Sequence, residues 1–108
     1  SGDRIREELD KAFQENDILV ILRVLQDCGV FQFINHSFGL GNMIFDNMDE
    51  TRLAIQKSKN HLLLLAILVF SCTEDNIQKL ISRLNMGKIW TRVVEDVCSV
   101  KKVFDYDW

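Results

Sequence analysis

Residues Leu62 to Phe70 read LLLLAILVF, nine consecutive apolar side chains with no polar position among them. A helix built from this run has no face suited to water, so neighbouring helices must cover it. At 1.5 Å per residue it is about 14 Å long, against about 30 Å of membrane hydrocarbon. Lys57, Lys59, Asn60 and His61 close it on one side, and Ser71, Thr73, Glu74 and Asp75 on the other. The run therefore reads as the central strut of a helical core and not as a membrane span.

Upstream, Leu53 and Ile55 lie among Arg52, Gln56 and Lys57, and the pattern predicts one long helix from Glu50 to Cys72, capped by Asn47 or Asp49. Downstream, Thr73 reads as an N-cap, with Glu74 and Asp75 on the helix dipole. Ile77, Leu80, Ile81 and Leu84 form the next apolar stripe, and Gly87 is the expected stop. Ile89, Trp90, Val93, Val94 and Val97 make a last amphipathic helix to about Val100. At the other end, Asp3 reads as the cap of a helix carrying Ile5, Leu9, Ala12 and Phe13, which runs to about Asn16. Asp17 opens a helix from Ile18 to Asp27 that is apolar almost all round and so expected to be buried, with Gly29 as its C′ residue. Val30 to Met48 fits a helix interrupted at Gly39 and Gly41, where a break or a close crossing is expected.

The expectation is an all-α domain of about six helices over residues 1–102, followed by an aromatic and acidic tail, 103–108. The helices would pack compactly around the apolar helix. The expected buried frame is Ile18, Leu22, Leu25, Phe33, Ile44, Leu63, Ile67, Phe70, Ile77, Ile81, Trp90 and Val94. The stretches starting at Glu15 and at Glu74 each run acidic cap, apolar helix, glycine, second apolar helix, a faint internal echo.

With 108 residues, 47% apolar and 27% charged, the chain has a globular composition and room for one modest core. It has no proline, which suits short helix connections and not a loop-rich or all-β fold. The net charge of −3 argues against nucleic acid as a general partner. Residues 1–54 hold five basic and ten acidic side chains, whereas residues 55–108 hold eight and six. Cys28, Cys72 and Cys98 are odd in number, widely spaced and on apolar faces, the pattern of reduced, buried thiols in an intracellular protein, cytoplasmic or nuclear. The first residue is Ser1 and not Met, from which a piece of a longer protein is expected.

Nothing in the chain spells a reaction. There is no P-loop, dinucleotide fingerprint, nucleophile elbow, HExxH or CxxC. His36 and His61 stand 25 residues apart with no ligand-spaced partner, so no catalytic residue, metal or cofactor is expected. Asn35-His36-Ser37 spells a glycosylation sequon, discounted because it falls among aromatic residues. Two features point outward. Lys79 and Arg83 lie one turn apart, Lys88 and Arg92 repeat that spacing, and with Lys57, Lys59, Lys101 and Lys102 they form either a basic face for an acidic peptide or ordinary solvated surface. In the tail, Phe104, Tyr106 and Trp108 alternate with Asp105 and Asp107, either anchoring a partner or folding back over the last helix.

The apolar helix, a polar break and then TEDNIQKLISRLNMGKIWTRVVEDV (73–97) are similar to the junction between armadillo repeats. On that likeness residues 62–72 match the long third helix, 76–84 the next repeat's first and 89–97 its second. LDKAFQENDILVILRVLQ (9–26), NMIFDNMDE (42–50) and AILVFSCTEDNI (66–77) resemble the N-terminal armadillo-like domain of synaptonemal-complex axis proteins. Gly39 and Gly41 have no counterpart in the repeat. The resemblance implies an armadillo- or HEAT-like packing, with a compact helical bundle as the alternative, and a non-catalytic scaffold that binds a peptide or subunit in a groove between helices, in a chromosome-associated or other intracellular assembly, with homo-oligomers allowed. Two other readings stand beside it: a six-helix death-fold-like homotypic adaptor, and a nucleic-acid-binding helical domain using the basic second half.

Overall fold

In the computed structural model, which describes residues 1–103 apart from the Met43 side chain, eight helices follow one another. They are α1 (Gly2–Ala12), α2 (Ile18–Asp27), α3 (Val30–Ile34), α4 (Asn42–Asp46), α5 (Met48–Lys57), α6 (Leu63–Val69), α7 (Glu74–Arg83) and α8 (Lys88–Val103). No strand occurs among the described residues, so the all-α class holds. Their radius of gyration of 13.0 Å is that of a packed domain of about 100 residues.

Eight helices replace the expected six because two apolar segments break where polar side chains compete for the backbone. The long helix expected from Glu50 to Cys72 stops at Lys57. Ser58 Oγ there accepts from the Asn60 N–H (3.2 Å), and Asn60 Oδ1 accepts from the Leu62 N–H (3.0 Å). Such local bonds offer the chain an alternative to helix and restart it as α6. The segment from Val30 to Met48 breaks at the expected place. Gly39 has φ +142°, and its N–H donates to Leu68 O of α6 (3.1 Å). The Gln26 side chain pairs both with the N–H and with the C=O of buried Leu40 (3.0 Å each), acting as a substitute strand for a loop that lies inside the core.

The helix ends show similar chemistry. Ser1, not Asp3, caps α1, its Oγ accepting from the Arg4 N–H, and the helix ends at Ala12. Gly29, at φ +79°, ends α2 as expected. Helix α7 is stopped by Asn85 and not by Gly87. Asn85 takes φ +49°, its N–H bonds Ser82 O and the Met86 N–H bonds Ile81 O, the two bonds of a Schellman motif. The echo between the two halves is therefore loose, for α3 has five residues and α8 sixteen.

The core gathers Leu9, Phe13, Ile18, Leu22, Phe31, Phe38, Leu64, Leu65, Leu68, Val69, Ile77, Leu80, Leu84, Trp90 and Val94. Phe31 meets Phe38 edge-on at 5.5 Å, and Phe13 stacks on Trp90 at 5.9 Å. Of the expected frame, Ile18, Leu22, Ile77, Trp90 and Val94 are buried, and Leu25, Ile44, Leu63, Ile67, Phe70 and Ile81 are half-buried. Phe33 is not in the core. It is 78% exposed, because the short α3 turns Phe31 and Ile34 inward and leaves the position between them outside. Val20 and Val24 are also exposed, so α2 is not buried all round.

Lys101, expected on a basic face, is buried at 4% exposure. Its Nζ donates to Phe70 O (2.7 Å) and Cys72 O (3.0 Å), closing carbonyls that follow the C-terminus of α6. This contact explains why α8 continues past Val100 to Val103.

Candidate functional site

Helix α6 is not covered on every side. Leu62, Leu64, Leu65, Leu68 and Val69 are buried, while Leu63, Ala66, Ile67 and Phe70 are only half-buried. Those four recur at helical spacing and form a stripe facing the neighbouring stripe of α8, Val93, Val97 and Val100. The walls enclose a groove of about 360 Å³ in which Asp96 is the one charged lining residue. Its volume is within the range of ligand-sized clefts, and its lining is almost wholly apolar. On the flank of α8, Arg92 Nε meets Asp96 Oδ1 at 3.2 Å, with both side chains largely in solvent.

A second apolar groove, of about 380 Å³, runs between α1 and the α2–α3 pair, lined by Ile5, Leu9, Ala12, Ile21, Leu25, Val30 and Ile34 with Arg4 and Glu8 at its edge. The cleft between the α1–α2 turn and the α5–α6 turn is more polar, with Glu15, Asn16, Lys59, Asn60 and His61 among its walls. At its edge His61 Nε2 lies 3.0 Å from Asp10 Oδ1.

The sequence-derived basic residues are not drawn into one site. Lys79, Arg83, Lys88 and Arg92 are all exposed. Arg83 stands over the exposed ring of Phe33 at 6.0 Å, and Lys88 lies beside Gly87, Ile89 and Trp90 at the start of α8. Arg92 is the member that borders the apolar groove, through its pair with Asp96. Lys102 reaches Glu74 at 3.7 Å, and Lys101 is inside. Phe104, Tyr106 and Trp108 lie outside the described residues.

The remaining polar clusters are occupied by structural work. Asn76, 7% exposed, accepts from Asn35 Nδ2 (3.2 Å) and donates to Thr73 Oγ1 (2.6 Å), tying the α3–α4 loop to the start of α7. Thr73 is thus at the expected cap position, but its hydroxyl serves the Asn76 side chain. Of the three cysteines expected to be buried, Cys28 is exposed and Cys98 half-buried; Cys72 is buried and its thiol points at Ser37 O (3.5 Å). Burial pushes that thiol up from its ordinary value, which keeps it protonated and unreactive. Among the described residues, no three His, Cys, Asp or Glu side chains gather as a metal site, and no helix is long and apolar enough to cross a membrane.

The groove was hidden in the sequence by the uniformity of its own signal. Nine apolar residues in a row do not say which side of a helix is left open, and Asp96 resembles any solvated acid on α8. Comparison with protein-family models, with curated proteins and with solved structures returned no match.

Proposed function

We propose that this chain is a non-catalytic protein-interaction module, a scaffold or adaptor that receives a peptide or subunit in the groove between α6 and α8. The observation that carries the reading is the half-open stripe Leu63, Ala66 and Ile67 facing Val93, Val97 and Val100. Apolar surface left at the edge of a core is stabilised when another apolar face covers it, by about 25 cal/mol per Å² removed from water. Two helix walls and an almost wholly apolar lining suit an amphipathic helix better than a substrate needing fixed polar contacts. The second groove along α1 gives the same domain another face for assembly.

An armadillo- or HEAT-like arrangement is part of this proposal. The succession α6, α7, α8 supports it, because in such repeats each helix set leaves an apolar face for the next one. The likeness of three stretches to axis proteins carries the reading toward a chromosome-associated assembly inside the cell. A nucleic-acid function gains nothing from the basic residues, which are dispersed and partly engaged with Glu74 and Asp96.

The experiment is selection from a displayed library of amphipathic helices on the folded domain. Selected helices should bind the wild type and lose at least about tenfold in affinity to Ala66→Trp, which fills the groove. The melting transition of that variant should stay cooperative. Binding that survives Ala66→Trp but is lost in the double variant Lys79→Glu, Arg83→Glu would place the docking face on the basic surface and overturn the groove reading.

A further inference from the structure

We infer that the partner of the α6–α8 groove is an amphipathic helix of another protein that carries a lysine or arginine within its own apolar stripe. This rests on the groove reading above and adds the partner's chemistry to it. On α8 the residues Ile89, Val93, Asp96, Val100 and Val103 follow at spacings of four, three, four and three. That is the spacing of a helix–helix seam, with one carboxylate at its centre. Ile89, Val100 and Val103 are 71%, 49% and 77% exposed, and Val93, Asp96 and Val100, the middle of the strip, line the groove. The part that lines the groove, Val93 to Val100, extends about 10 Å, which matches about two turns of a partner helix.

Asp96 selects among occupants. Its counter-ion, Arg92, is a neighbour on the same helix, and both side chains are largely in solvent. A pair of this kind contributes little and exchanges readily for a cation brought by a partner. A second copy fits poorly. If two α8 strips packed antiparallel about a two-fold axis, Ile89 would face Val103, Val93 would face Val100 and Asp96 would face Asp96 of the other copy. Two carboxylates would meet at the centre of an apolar seam, a like-charge contact that disfavours self-association. An acidic helix meets the same repulsion. A lysine or arginine in the partner's stripe converts the same position into an attractive contact in a partly dehydrated seam, where it also fixes the register.

The test uses the displayed helix library on the wild-type domain and on Asp96→Lys, a change at an exposed position that leaves the core untouched. Helices enriched on the wild type should carry Lys or Arg in the apolar stripe. Replacing that residue by Glu should weaken binding about tenfold, and Asp96→Lys should reverse the preference. Enriched helices that need an open groove, as judged by Ala66→Trp, but show no charge preference would overturn this inference and leave the groove reading standing. Failure to select any helix sensitive to Ala66→Trp would overturn both. A dimer in sedimentation equilibrium that Val100→Glu dissolves would make a second copy the occupant. Helix binding that appears only after residues 104–108 are deleted would make the chain's own tail the occupant. Each of these last two results contradicts the proposal.

Discussion

Lys101 is the residue at which sequence and structure diverge most. Read along the chain it belongs to a pair of lysines, but in the fold it is buried and its Nζ serves the carbonyls of Phe70 and Cys72. Lys101→Met keeps the stem and removes the two hydrogen bonds that Nζ donates to Phe70 O and Cys72 O. The expected cost is about 1–3 kcal/mol in urea unfolding, with the helical content unchanged. Burial holds the Lys101 ammonium below its ordinary value of 10.5. The unfolded chain therefore binds this proton more tightly, and the contribution of Lys101 to stability rises with pH through the window below 10.5. The stability lead of the wild type over Lys101→Met should widen as pH rises toward 10.5; a lead that narrows would show that the ammonium is not desolvated. Cys72 has the opposite sign, since burial raises its thiol and its contribution is lost as pH climbs past its folded value. Asp3 illustrates the exposed case. The Asn85 amide and then the Arg6 guanidinium hold its carboxyl below the usual range, so its contribution is present above the ordinary carboxylate pKa of 3.8 and is lost as pH falls through the folded value.

At the scale of helices, the sequence showed where apolar faces lie better than where chains turn. The bounds of α2 were legible because Asp17 and Gly29 carry the usual signals at both ends, and the opening of α7 after Thr73 was legible for the same reason. The division of residues 50–72 was not, because hydrophobic spacing continues across Ser58–Asn60 while their side chains withdraw the backbone from the helix. Glycine was misleading at position 87. The left-handed residue is Asn85, which also joins the N-terminus of α1 through Asp3 Oδ1 at 2.6 Å. Asn85→Val should cost about 1–2 kcal/mol in thermal or urea unfolding, because a β-branched side chain opposes positive φ. Asn85→Gly should cost clearly less, since it relieves the backbone and loses only the link to Asp3. Equal losses for the two variants would mean that the side-chain link, not the left-handed turn, holds α7 to α8.

For the whole molecule, the run Leu62–Phe70 sets both the core and the surface that the proposal uses. Its inner half, Leu64, Leu65, Leu68 and Val69, is fully covered, and its outer stripe stops short of cover. Periodicity cannot reveal that asymmetry within an unbroken apolar run, because the open side is decided by where α8 comes to lie. The all-α class was legible from the run, the missing prolines and the stripes on either side. The candidate site was not, since its charged member is an ordinary-looking aspartate and the basic pairs of α7 and α8 are dispersed over the surface. The most direct test of the groove is a nitrogen–proton NMR titration of the labelled domain with a helix selected from the library. The account predicts shift changes concentrated on the backbone amides of Leu63, Ala66, Ile67, Val93, Asp96, Val97 and Val100. Changes centred instead on Lys79, Arg83 and Lys88, or on α1 and α2, would contradict it.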